Sequence, residues 1–121
     1  MTIYIASPYS INADAQLRQE RYEYALMKSI EFTLKGLPVF SPIVHSHPMS
    51  LAANMPCTFD FWKDLDCLYI DSCDQMYVLM MEGWKESIGV QFEIQYAKSK
   101  GIPITYVECL DSPVYNALVA A

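Results

Sequence analysis

Two acidic residues stand in settings where a carboxylate can do chemistry. Asp66 belongs to the helical stripe Trp62, Asp66, Tyr69, Ile70 and Cys73, which is apolar apart from this one charge. A carboxylate at the edge of buried surface must be paired or used. Glu93 follows Gly89 by four residues in Ser87-Ile88-Gly89-Val90-Gln91-Phe92-Glu93, so the two share a helix face. Glycine is a poor helix former. Its lack of a Cβ can admit a ligand just above the Glu93 carboxylate, or simply permit close packing beside a solvated glutamate. Ser87 is a natural N-cap, and with the N–H groups of a helix start it can hold an anion such as a 5′-phosphate. Paired carboxylates are the standard means of breaking a glycosidic bond. One attacks or stabilises the anomeric carbon, and the other handles a proton or a sugar hydroxyl.

Other polar groups join them as candidates. Ser7, Tyr9 and Ser10 supply hydroxyls from one early turn, and His45 is a candidate substrate contact. His45-Ser46-His47 has no Cys or Asp partner at ligand spacing, so no metal and no cofactor are expected. His47, directly before Pro48, reads as a turn-stabilising residue. Trp62 and Trp84 could stack on a base or pack in a core, and Tyr22 reads as core. The chain lacks a Gly-x-Gly-x-x-Gly, a Walker lysine and a nucleophile-elbow serine.

These groups need elements to place them. Residues 2–6 read as a strand, stopped by the turn signal Ser7-Pro8-Tyr9-Ser10. Residues 12–35 read as a helix with a buried stripe of Tyr22, Leu26, Ile30 and Leu34, closed by Gly36. Residues 38–41 form a short second strand. Residues 43–57 read as a long, functional loop. A helix capped by Thr58 or Asp60 runs to about residue 72, with Phe61, Leu65 and Leu68 as a second apolar face. Strand 75–81, helix 87–100 and strand 104–107 follow, with a last helix expected near 114–119. Alternating strands and helices predict an α/β fold: a small doubly wound (Rossmann/flavodoxin-like) parallel sheet of four to five strands with helices on both faces, in one domain over 1–121. Ligands bind such sheets outside the carboxyl ends of the strands, where residues 7–9, 41–47 and 82–89 should converge.

The totals restrict the partners. A net charge of −6 argues against binding a nucleic acid polymer, which needs clustered Lys and Arg, but leaves a small nucleoside or nucleotide open. With 53% apolar and 18% charged residues, nine Tyr and seven Met, a homo-dimer or larger assembly is expected. No stretch reads as an export signal or a membrane span, and the four cysteines show no Cys-x-x-Cys spacing. A cytoplasmic protein with free thiols is the expectation.

Tyr4-Ile5-Ala6-Ser7-Pro8-Tyr9-Ser10, Asp66 ahead of the third strand, Ser87-x-Gly89-x-x-x-Glu93 and Gly101-Ile102-Pro103 occur in the order found in the nucleoside 2-deoxyribosyltransferase family, which the chain resembles over nearly its whole length. The hydrolytic branch of that family, acting on deoxynucleoside 5′-monophosphates, shows a similar Ser-x-Gly-x-x-x-Glu pattern. The strings Ser41-Pro42-Ile43-Val44-His45-Ser46-His47-Pro48, Asp60-Phe61-Trp62 and Gly83-Trp84 also resemble an uncharacterised bacterial and phage group of this superfamily, DUF1937. The resemblance implies that Glu93 is a nucleophile forming a glycosyl-enzyme. It implies that Asp66 orients nucleophile or sugar, or protonates the leaving base, and that Tyr4 lies near the nucleophile. Ser87 and Gly89 would hold the sugar 5′ end, and a neighbouring subunit would complete the site. Ser7 replaces the family's usual glycine. The first loop lacks the arginine of the phosphate-specific branch; Arg18 and Arg21 lie further along the helix.

Overall fold

A computed structural model of the chain describes residues 1–109. Four strands, β1 (Ile3–Ala6), β2 (Val39–Phe40), β3 (Gln75–Met80) and β4 (Ile104–Glu108), form one all-parallel sheet in the order β2-β1-β3-β4. Register pairs Tyr4 with Phe40 on one side and with Met76 on the other, and β3 with β4 from Met76–Ile104 onward. Four helices connect or follow the strands: α1 (Ala15–Leu34), α2 (Pro42–Ala53), α3 (Phe59–Asp71) and α4 (Ile88–Ser99). The expected fold class holds, with four strands among the described residues. The helix expected near 114–119 lies outside them.

Strand alternation splits the core into two layers. Tyr4, Ala6, Met76 and Val78 pack under Ile70 of α3 and Val90, Ile94 and Ala97 of α4. Ile5, Leu79 and Met81 pack against Phe32 of α1 on the other face. From β1 the chain runs to β2 on one side and later reaches β3 on the other. The strand order therefore reverses between β1 and β3, and a crevice opens beyond their carboxyl ends.

Two expectations need correction. Residues 43–57 are not a loop: most of them form α2. Ser41 caps it, its Oγ accepting from the Val44 N–H at 3.2 Å, with Pro42 in the first turn. Asn54 ends it in the left-handed region at φ 51°. Pro48 lies inside and has no N–H to donate, which removes one helical hydrogen bond and hides the helix from a pattern reading. The buried stripe of α1 is also displaced by one to two positions. Arg21, Ala25, Lys28 and Phe32 face inward, whereas Leu34 is 76% exposed. The two long cationic side chains escaped the pattern because their methylene stems can cover apolar surface. On α3, Asp66 and Ile70 are buried, while Phe61, Leu65 and Leu68 lie exposed.

Arg21 fixes the turn after β1. Its Nη1 donates to the Tyr9 carbonyl at 2.9 Å and to the Ile11 carbonyl at 2.7 Å. Gly83, at φ 94°, leaves room above it: a Cβ there would stand 2.9 Å from Arg21 Nη2. Charge-assisted bonds of this kind are the strong ones. Arg21→Met should lower the unfolding free energy by about 2–4 kcal/mol. Urea denaturation measures it, and an unchanged midpoint would show that the turn holds without the guanidinium.

Candidate active site

The crevice is a cavity of about 330 Å³. That is the low end of the roughly 300–1,000 Å³ typical of small-molecule sites. Ser7, Tyr9 and Ser10 reach it from the β1 turn, Asp66 from α3, and Ser87, Gly89 and Glu93 from the start of α4. Seven of the residues singled out in the sequence thus line one space. Tyr4 does not line it. It lies fully buried beneath, its hydroxyl donating to Glu93 Oε2.

His45 lies elsewhere. It is exposed, with its ring centroid 5.8 Å from those of Phe40 and Tyr69. His47, read as a turn residue, is instead mid-helix, buried and on the cavity wall. Helical geometry accounts for the division, since residues two apart on a helix do not face the same way. The same geometry parts the two rings as metal ligands. Among the described residues, no group of three or more His, Cys, Asp or Glu side chains is placed to hold a metal ion. Phe59, also missed, carries weight too. A Cβ on Gly89 would stand 3.0 Å from its Cδ1, so the glycine lets this ring lie against the start of α4. Trp62 lines the cavity, its indole N–H held by the Pro56 carbonyl at 2.9 Å, whereas Trp84 packs near Tyr106.

Local chemistry positions each group. Ser87 Oγ accepts from the Val90 N–H at 3.2 Å, which starts α4 at the cavity and brings the positive end of its dipole there. One turn on, Glu93 is carried inward between Val90, Ile94 and Ala97 and is 4% exposed. Asp66 is 8% exposed. Ser7 Oγ is buried with no hydrogen-bond partner among the described residues, a polar atom at the cavity that a ligand can satisfy.

Burial dominates the electrostatics. It raises Asp66 from an ordinary 3.8 to about 7. Burial, and then the Asp66 charge, raise Glu93 from 4.5 to about 8, against the Tyr4 hydrogen bond, which favours the charged form. Burial, with the negative charges of Glu93 and Asp66, also drives the Tyr4 phenol well above its usual value, so it stays a donor. The two carboxyls titrate as a pair that retains a proton near neutrality. The Tyr4 hydrogen bond draws charge toward Glu93 but does not outweigh its burial, so Glu93 holds its proton more tightly than Asp66.

The fold and this site define a small parallel α/β protein with a buried acid pair at the topological switch point. The chain belongs to the DUF1937 family, a domain of unknown function, whose family model matches residues 1–109. No curated protein matches the sequence. No helix among the described residues is long and apolar enough to cross a membrane.

The raised pKa values have a thermodynamic consequence. The folded chain holds these protons more tightly than the unfolded chain. The contribution is therefore most favourable below the unfolded values of 3.8 and 4.5, and is lost as pH rises toward about 7 and 8. Glu93→Gln should stabilise the fold at pH 8 by on the order of a few kcal/mol, with the gain shrinking toward pH 5. Denaturation midpoints of both proteins across that range check this. A pH-independent difference would mean that Glu93 does not titrate between the two states.

Proposed function

We propose that this protein cleaves or transfers the N-glycosidic bond of a nucleoside or nucleoside 5′-monophosphate, with Glu93 as nucleophile. The observation that carries the reading is that two carboxyls, on different helices, line one cavity and together retain a proton near neutral pH. A glycosidic substitution needs one ionised and one protonated carboxyl. In the proposed step a Glu93 carboxylate oxygen bonds to the anomeric carbon as the bond to the base nitrogen breaks. The bonding pair leaves on the base, which takes a proton from Asp66. Water, or the nitrogen of a second base, then displaces Glu93 from the sugar, and Asp66 recovers its proton. Tyr4 donates to the Glu93 oxygen and steadies its charge. Ser7, Ser10, Tyr9, Ser87 and Gly89 surround the sugar. The likeness of Ser87-x-Gly89-x-x-x-Glu93 to the deoxyribosyltransferase nucleophile segment supports the same reading.

The reading includes a homo-dimer or larger assembly, supported by the exposed row Phe61, Leu65 and Leu68 on α3. It also includes a reducing, cytoplasmic setting, supported by four free cysteines. One observation favours a second reading. Burial lifts Glu93 to about 8, and a protonated glutamate is no nucleophile. The same cavity would then serve as a binding module for a nucleotide-derived ligand.

Incubation with a panel of nucleosides and 5′-monophosphates, followed by chromatography for free base, separates the two. The catalytic reading predicts release by the wild type and a loss of roughly three orders of magnitude or more in Glu93→Gln. Ligand binding without release, retained in Glu93→Gln, supports the binding module instead. Release unaffected by the substitution excludes Glu93 as nucleophile.

A further inference from the structure

The cavity also carries a second polar assembly. His47 Nδ1 lies 2.6 Å from the Tyr9 hydroxyl, and His47 Nε2 lies 2.7 Å from Gln19 Oε1. Gln19 Nε2 donates to Glu23 Oε1 at 3.2 Å. Tyr22 stacks on the imidazole, with centroids 4.4 Å apart, and fixes its plane. Tyr9 and His47 both line the cavity.

The direction of every bond in this series follows from its outer end. An ionised carboxylate can only accept, so the Gln19 amide must turn its NH₂ to Glu23 and its oxygen to His47. That oxygen can only accept, so His47 Nε2 must carry a proton. Burial pushes the imidazole below its ordinary value and the Arg18 charge adds to this, against a smaller opposing effect of Glu23. The ring is therefore neutral at neutral pH, and Nδ1 carries a bare lone pair. The Tyr9 hydroxyl must then donate to Nδ1, and its only proton is spent. Arg18, a donor only, cannot take that proton; its guanidinium hydrogen-bonds to the same phenol oxygen, taking one of its two lone pairs and leaving the other for ligand.

We propose that Glu23, Gln19, His47 and Tyr9 form a one-way hydrogen-bond chain that leaves the Tyr9 phenol an acceptor-only contact on the cavity wall, selecting ligands that offer it an O–H or N–H donor. Tyr9 is the residue that touches ligand; His47, Gln19 and Glu23 are positioning residues. A ligand presenting only a lone pair at that point meets another lone pair and is disfavoured. The ligand class rests on the nucleoside reading above, in which the donor is a sugar hydroxyl or the exocyclic amine of the base. The proton order rests on the chain alone.

Two measurements test the proposal. Nitrogen-15 NMR of the ligand-free protein at neutral pH should find His47 protonated at Nε2 and bare at Nδ1. The opposite tautomer, or a doubly protonated ring, overturns it. Binding is then compared for adenosine and for analogues lacking the exocyclic amine, the 2′-hydroxyl or the 3′-hydroxyl. One deletion should weaken binding to the wild type about tenfold and leave the conservative variant Tyr9→Phe unaffected, a discrimination worth about 1.4 kcal/mol. Equal losses in both proteins for every analogue overturn the Tyr9 contact while leaving the nucleoside reading intact. Failure of the wild type to bind any of the four overturns that reading and the ligand contact with it.

Discussion

The structure is governed by the cost of placing two carboxyl groups in one nearly dry space. Asp66 and Glu93 come from separate helices that pack on the same face of the sheet, and their meeting is a product of topology rather than of chain proximity. Neither can ionise as it would in water without charging low-dielectric surroundings, and both cannot ionise together without mutual repulsion. The protein retains a proton instead. Tyr4 then narrows the gap between the two, favouring the charged form of Glu93 against its burial. Its ring is locked in β1, one of the two inner strands, and its hydroxyl emerges at Glu93. A strand residue thus supplies the hydrogen bond that partly offsets the burial of Glu93.

The rest of the fold serves that placement. The reversal of strand order between β1 and β3 opens the crevice, and the Ser87 cap sets where α4 begins and hence which of its residues enters it. Arg21 holds the β1 turn by its carbonyls, which leaves the side chains of Tyr9 and Ser10 free for the cavity. The cavity has two unlike polar assemblies. One is the acid pair. The other is Tyr9 and His47, whose protons are ordered by bonds leading out to an exposed carboxylate on α1.

Much of this was legible in the sequence, for physical reasons that differ from residue to residue. Short β-branched and aromatic runs broken by Ser-Pro and Gly-x-Pro turns announced β1, β3 and β4. The alternation of strand and helix then forced parallel pairing. Ser87 and Glu93 were legible because an N-cap and a position five or six residues later have fixed geometry. Asp66 was legible because a lone charge in an apolar stripe is costly. The α2 helix was not, because Pro48 and two histidines suppress the periodic signal, although Ser41-Pro42 is a recognisable start. With the helix missed, His45 was read as the substrate contact and His47 as a turn residue, whereas the helical backbone sends only His47 to the cavity. The inward face of α1 was displaced by one to two residues because Arg21 and Lys28 count as polar in any pattern while burying their stems. The Phe59 ring against Gly89 is a tertiary contact with no local trace in the chain.

The claim on which this account depends is that the acid pair retains a proton at neutral pH. Carboxyl carbon-13 NMR of Asp- and Glu-labelled protein, assigned with Asp66→Asn and Glu93→Gln, measures it directly. Two coupled transitions near the values of about 7 and about 8, one simplified in each variant, are the predicted result. Independent titrations of both groups in the ordinary carboxylate range would contradict it.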